Sequence, residues 1–155
     1  MMNVMPLLSW DIFINCFHRN LKLAEKETEI RKINDLAKKF NWKNDINDII
    51  HKNSYEAIVI TDNTQKIIWV NNGFTDMTGY SKKFAVNKKP SFLQGEETSK
   101  KTKAKIRKKI EAHKPFKQVI VNYKKDKTPY RCEVKIIPLF GIDTTHYIAL
   151  EREVV

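Results

Sequence analysis

Pro129-Tyr130-Arg131-Cys132-Glu133-Val134-Lys135-Ile136-Ile137-Pro138-Leu139-Phe140 is the stretch whose reading decides the fold. Side chains along a strand alternate between its two faces. Tyr130, Cys132, Val134 and Ile136 therefore share one face and Ile137 and Leu139 the other, so the strand is apolar on both sides. Its neighbours repeat the arrangement. In Phe116–Lys124, Phe116, Gln118, Ile120 and Asn122 oppose Val119, Val121 and Tyr123; in Thr144–Glu153, Tyr147, Ala149 and Glu151 oppose Ile148 and Leu150. The turns Lys125-Asp126-Lys127 and Gly141-Ile142-Asp143 make the three strands antiparallel neighbours. A sheet of this kind needs a layer on each side, because a large bare apolar face is a partner site or an aggregation hazard.

Working upstream, Ala57–Thr61 and Lys66–Val70 form a hairpin through the turn Asp62-Asn63-Thr64. Between hairpin and strands lie a helix over Asn72–Thr78 stopped by Gly79, a short turn capped by Ser81, and a longer helix from Ser99 to about His113 ended by Lys114-Pro115. The expected class is α+β: a five-stranded antiparallel sheet with inserted short helices on one face.

Residues Ser9 to about Lys52 read as helical, with Ser9 as a cap. Trp10, Phe13, Ile14, Phe17 and Leu21 make one apolar stripe, and Ile30, Ile33, Ala37 and Phe40 make a second, out of phase with the first. That shift predicts a kink or two helices separated around Glu25–Glu29. A shorter helix, about Asn44 to Ile50, presents Ile46, Ile49 and Ile50. These stripes have to be buried. The N-terminal extension, 1–52, is expected to cover the second sheet face of a domain over 53–155, and a homodimer through the N-terminal helices or the outer sheet face is expected.

The 155 residues suffice for one such domain, with 41% hydrophobic and 30% charged residues. Two distant cysteines, Cys16 and Cys132, imply neither a disulfide framework nor a zinc site, and both are expected to be buried, inert thiols in a reducing cytoplasm. The apolar start, Met1 to Leu8, is short and Asp11 interrupts it, so neither a signal peptide nor membrane insertion is expected. The net charge of +11 is spread along the chain and reads first as solubility. Its functional alternative is a basic adaptor for nucleic acid or an acidic protein surface. The Lys-rich helix Ser99–His113 lacks interleaved aromatics, which disfavours nucleic acid. Phosphate loop, nucleophile elbow and HExxH signatures are missing from the sequence, and an enzyme is not expected.

Several ordered motifs are similar to a known family. Ile60-Thr61-Asp62, Ile68-Trp69-Val70-Asn71-Asn72-Gly73-Phe74 and Thr78-Gly79-Tyr80-Ser81 resemble the opening of PAS domains. Phe92-Leu93-Gln94-Gly95-Glu96-Glu97-Thr98, Ile106-Arg107 and Asn122-Tyr123-Lys124-Lys125-Asp126-Lys127-Thr128-Pro129-Tyr130 resemble the LOV subgroup. The likeness spans roughly Tyr55 to Val154 and implies the PAS fold and a sensory or protein-interaction module that takes a small-molecule ligand or a protein partner. LOV domains bind FMN and form an adduct with a cysteine in Asn-Cys-Arg. Here Lys89, Pro90 and Ser91 stand at those positions, so the photoreactive thiol is missing.

Of the flavin contacts the resemblance implies, Gln94, Arg107 and Asn122 are kept. Cys132, Glu151 and Ser91 replace an Asn, a Gln and an Arg, and an ionised Glu donates no hydrogen bond. Tight FMN binding is therefore not expected, although a dark flavin redox sensor stands as an alternative. Haem is not expected either, because His113 beside Pro115 reads as a surface histidine. The pocket is expected to be lined by Asn71, Gln94, Arg107, Asn122, Cys132, Ala149 and Glu151. Glu151 is either buried and paired, for example with Asn122 or a ligand donor, or solvated at a frayed strand end.

Overall fold

The computed structural model describes residues 7–155, with side chains from Ser9 onward; most of the apolar start, Met1 to Leu8, lies outside the described residues. Five strands form one antiparallel sheet: β1 (Ala57–Asp62), β2 (Ile67–Val70), β3 (Phe116–Tyr123), β4 (Pro129–Phe140) and β5 (Thr144–Val154), in the order β2-β1-β5-β4-β3. The hairpin turn is built by Asp62, whose Oδ1 accepts from the amides of Thr64 (2.8 Å) and Lys66 (3.0 Å). The C-terminal strand thus lies at the centre, between β1 and β4.

The alternation expected from sequence is realised on both faces. Val59, Ile120, Cys132 and Val134 belong to an inner core with Phe74, Met77 and Leu93. Ile58, Ile60, Ile137, Leu139, Ile148 and Leu150 belong to an outer one. The inner face is covered by α3 (Asn72–Thr78), α4 (Lys82–Ala85), a 3-10 turn over Pro90–Leu93 and α5 (Lys100–Glu111). Ser81 and Ser99 cap α4 and α5, and Gly79 closes α3 at φ 81°, a backbone conformation that costs glycine nothing.

The outer face is covered by α1 (Leu7–Phe40) and α2 (Ile46–Lys52). Here the structure corrects the sequence reading: α1 is one continuous 34-residue helix, without a break around Glu25–Glu29. Its middle is rich in Ala, Leu, Glu, Lys and Arg, all strong helix formers. Ser9 lies inside the helix and is not its cap. The helix ends where Asn41 takes φ 57° and the Trp42 amide reaches back to the Ala37 carbonyl (2.9 Å), a left-handed C-terminal closure.

Only the second stripe is buried. Ile33 is fully buried, Ala37 nearly so, and Ile46 and Ile50 of α2 join them. The first stripe remains exposed, with Trp10 at 53% and Phe17 at 55%, and so does Cys16, contrary to expectation. The outer sheet face is buried under the chain's own helices, which removes it as a dimer surface.

The α1–α2 joint is pinned by Trp42, whose indole N–H donates to His146 Nδ1 (3.2 Å) beneath Phe40. Burial lowers the His146 pKa, partly opposed by Asp62, and the neutral ring keeps Nδ1 free to accept.

Truncating Ile33 to Ala should cost about 2–5 kcal/mol in chemical denaturation. Leu23→Ala on the exposed part of α1 should change stability by no more than about 0.5 kcal/mol. Equal costs for the two would mean that the helix is not docked through its second stripe.

Candidate functional site: an inner cavity around Glu151

A cavity of about 130 Å³ lies between the inner sheet face and the inserted helices. Val59 of β1, Asn122 of β3, Val134 and Ile136 of β4, and Tyr147, Ala149 and Glu151 of β5 form its floor. Ile106 and Ile110, one turn apart on α5, form a wall, and Pro90, Ser91, Leu93 and Gln94 form the rim.

The rim is fixed by a small set of contacts. The Thr98 hydroxyl accepts from the Gly95 amide (2.9 Å) and donates to the Val121 carbonyl (2.7 Å). Tyr123 Oη accepts from the Glu97 amide (2.8 Å). A Cβ on Gly95 would stand 2.5 Å from the Tyr123 ring, so glycine is what lets the loop approach β3. Gln94 is thereby held against the cavity.

Of the seven residues expected at the pocket, Gln94, Asn122, Ala149 and Glu151 meet there. Three do not. Arg107 is exposed, because it lies one residue, about 100° around the helix, from the inward Ile106. Cys132 is fully buried in the inner core, where burial and then the nearby Glu151 carboxyl push its thiol pKa far up. Asn71 is engaged elsewhere. Its Oδ1 accepts from the amides of Ile58 (2.8 Å) and Phe74 (3.0 Å), and its Nδ2 donates to Glu29 of α1 (2.7 Å). The remaining oxygen of Glu29 accepts from Tyr55 Oη (3.0 Å), so one carboxylate ties α1 to the start of the sheet.

Sequence reasoning omits Tyr147, Val134 and Ile136 from the site, although their inward alternation is legible. Gln65 has no such signal, since a left-handed turn at φ 69° brings it to the cavity. His113 is exposed as expected, and its Nδ1 lies 3.1 Å from Tyr147 Oη.

Glu151 is the chemically distinctive group. It is 5% exposed and sits mid-strand, paired with Ala57 and Val134, so the frayed-end reading fails. Its Oε2 has no hydrogen-bond partner among the described residues, Asn122 included. Burial raises its pKa to about 7, against a smaller downward pull from the Cys132 thiol. Burial, reinforced by Glu151, also raises the phenol of buried Tyr130. Among the described residues no three His, Cys, Asp or Glu side chains are grouped to hold a metal ion, and no helix is long and apolar enough to cross a membrane.

The fold and this cavity have counterparts in known proteins. The model of the PAS domain family matches residues 56–154. The chain belongs to the PAS domain family. A blue-light photoreceptor of Listeria innocua is 36% identical over 102 residues, which is 63% of this chain and 40% of that protein. A blue-light-activated histidine kinase of Erythrobacter litoralis is 35% identical over 92 residues, 57% of this chain and 26% of the kinase. The chain thus spans well under half the length of these relatives. The light-state structure of the blue-light photoreceptor Aureochrome1 LOV superposes with a TM-score of 0.63 at 26% identity, covering 66% of this chain and 84% of that one. This PAS domain thus has a LOV domain among its structural counterparts.

The flavin that a LOV resemblance implies can be tested against the cavity itself. Its volume of about 130 Å³ is less than half the ~300 Å³ at which pockets for drug-sized ligands begin. Glu151 stands where the LOV resemblance implies a Gln at the ring edge, and once ionised, above about pH 7, it offers only acceptors. Arg107 stands outside. The residues present do not fit FMN.

The Glu151 shift has a defined pH signature. Its folded pKa exceeds the ordinary 4.5, so folding takes up a proton between pH 4.5 and about 7. The stability associated with the neutral carboxyl is complete below 4.5 and is lost as pH rises to about 7. Glu151→Gln should therefore gain stability relative to wild type across that interval, by at most about 3 kcal/mol, and then level off. Denaturation midpoints at roughly pH 4.5, 6 and 8 check this, since they bracket the titration. A pH-independent difference would mean that Glu151 titrates normally.

Proposed function

We infer that the chain is a PAS sensory module that binds a compact small molecule in its inner cavity without a cysteine adduct, and passes occupancy to helix α1. The observation that carries this reading is Glu151: a buried carboxyl with an unpartnered oxygen at the floor of a cavity about 130 Å³ in volume. A buried polar atom without a partner is costly, and a ligand N–H or O–H would supply the missing bond. The carboxamides of Gln94 and Asn122 add donors and acceptors around it. The compactness of the space favours a monocyclic or similarly small ligand: an engineered apolar cavity of about 150 Å³ holds benzene.

The absence of adduct chemistry rests on position. Pro90 and Ser91 stand at the rim, and neither Cys16 nor Cys132 lines the cavity. Relay to α1 is supported by β1, where Val59 lines the cavity while Ile58 and Ile60 belong to the core shared with α1. A second link runs from Phe74 through Asn71 to Glu29. The module is a binding device rather than an enzyme in this reading, which follows the match of residues 56–154 to a PAS domain. Two free thiols fit a reducing cytoplasm as its setting.

Freshly purified protein should be colourless, and FMN added during refolding should not remain bound after gel filtration. A stoichiometric flavin absorption band in the purified protein would overturn the reading. Mass spectrometry of any small molecule released by denaturation would identify the ligand class directly.

A further inference from the structure

The excess positive charge is concentrated in one layer of the fold, which corrects its reading as spread along the chain. Lysine runs through the whole sequence, but the acids that balance it do not. Residues 82–117 hold thirteen Lys and Arg against three acids (Glu96, Glu97 and Glu111), a formal +10 of the chain's +11. Elsewhere sixteen bases meet fifteen acids. The stretch 82–117 is the layer over the inner sheet face: α4, the rim of the cavity, α5 and the start of β3. Rim and α5 meet at the cavity, so the basic segments Lys82–Lys89 and Lys100–Lys109 belong to one side of the domain. Helix α1 packs on the other.

Folding gains nothing from this arrangement. Lys100 and Lys101 occupy the first turn of α5, where the helix dipole favours acids, and no acid is there. Lys101 and Lys105, Lys105 and Lys109, and Lys103 and Arg107 stand four residues apart, a spacing at which like charges repel. Of the thirteen bases only Lys117 forms an ion pair among the described residues, with Glu133 at 3.5 Å. Lys101, Lys105 and Lys108 are exposed on the solvent side of α5, away from Ile106 and Ile110. Solubility is served as well by interspersed charges of both signs, without this repulsion.

We propose that this layer docks the domain on an anionic lipid surface, with the lysines of α5 and of the segment Lys82–Lys89 among the headgroups. The proposal does not depend on what the inner cavity binds. Three observations select a membrane over nucleic acid or an acidic protein.

The first is residue type. Twelve of the thirteen bases are Lys and one is Arg107. Lysine is a hydrated point charge suited to a diffuse surface potential, whereas arginine supplies the rigid fork that reads individual phosphates and carboxylates.

The second is Phe84, 44% exposed among Lys82, Lys83, Lys88 and Lys89. Tyr80 stacks on its ring at 5.0 Å, and the Lys88 ammonium stands over it at 4.1 Å. A nucleobase therefore finds no free face to stack on. An aromatic edge framed by lysines instead matches the boundary between headgroups and acyl chains.

The third is the lack of an apolar centre on α5. Its outer side carries only Ala104 and Ala112 besides charged residues, whereas a specific protein interface needs an apolar core inside its polar rim. A charged lipid surface needs none.

Co-sedimentation of the full chain with vesicles tests this. At about 0.1 M salt the chain should pellet with phosphatidylcholine–phosphatidylserine vesicles and stay in solution with phosphatidylcholine alone. Salt at about 1 M, which shortens the screening length from about 10 to about 3 Å, should release it. Each lysine near an anionic surface contributes roughly fivefold to partitioning, so Lys101→Gln, Lys105→Gln and Lys108→Gln together should weaken binding roughly 100-fold. The melting temperature of that variant should not fall, because repulsion along α5 is relieved. The matched triple Arg31→Gln, Lys38→Gln, Lys43→Gln removes exposed bases of the outer layer and should leave vesicle binding nearly unchanged. A chain that ignores the anionic vesicles, or binds neutral ones equally well, overturns the proposal. Equal losses in the two triple variants would overturn the assignment of the surface. Duplex DNA or RNA held more tightly than the vesicles at the same salt would overturn the membrane as partner and make the layer a nucleic-acid surface.

Discussion

The structure depends on one constraint: the central strands carry apolar side chains on both faces, and each face has to be kept from water. β5 imposes it most strongly, because it lies between β1 and β4 and has no free edge. Tyr147 and Ala149 look inward while Ile148 and Leu150 look outward. The inserted helices cover one face incompletely and leave a cavity; α1 and α2 cover the other through closely packed aliphatic groups. The outer layer thereby removes Ile58, Ile60, Ile137, Leu139, Ile148 and Leu150 from water. The cavity and the long helix are thus two responses to the same alternation.

Polar groups are conspicuous in an interior of this kind. Asn71 uses both ends of its carboxamide to join β1, α3 and α1. It is structural, and its bonds account for its burial. Glu151 is the contrary case, a buried acid with an oxygen left over. An unpaired buried carboxyl opposes folding unless it is protonated, and its raised pKa expresses that. His146 on the outer layer is shifted in the opposite direction by the same cause, burial, because burial disfavours whichever form is charged. Acid thus works against the outer layer and in favour of the inner one.

Much of this is legible in the sequence where a period governs the outcome. The face assignment of Tyr130 to Leu139, the Asp62 turn, the stop at Gly79 and the caps Ser81 and Ser99 all follow from local rules, and the structure has them. Sequence and structure part where two solutions satisfy the same pattern. Two out-of-phase stripes fit either a broken helix or an unbroken one with only one stripe docked; the uninterrupted run of helix formers decides for the second. Cys16 follows its stripe, which stays in water. Glu151 has no unique placement from sequence, since the central position of β5 is a property of strand order. Resemblance points Arg107 inward, whereas the phase of Ile106 and Ile110 turns it out. Asn71 is legible as a helix cap from its place before Asn72–Thr78, and that capping bond competes with any place in the pocket.

The continuity of α1 has a mechanical consequence. About 22 residues of the helix precede Glu29, the carboxylate that ties it to the domain, and at 1.5 Å per residue they form an arm roughly 33 Å long. A hinge would dissipate a tilt imposed at the docked end, whereas an unbroken rod transmits it. Rotation by only ~5° about the Glu29 contact would sweep the tip near Trp10 through roughly 3 Å, from the length of that arm. In the proposed relay, sub-ångström repacking beneath Ile33 and Ala37 would become a displacement comparable to the width of an atom at the far end. The helix is a long arm anchored by Glu29 and by the buried stripe of Ile33 and Ala37.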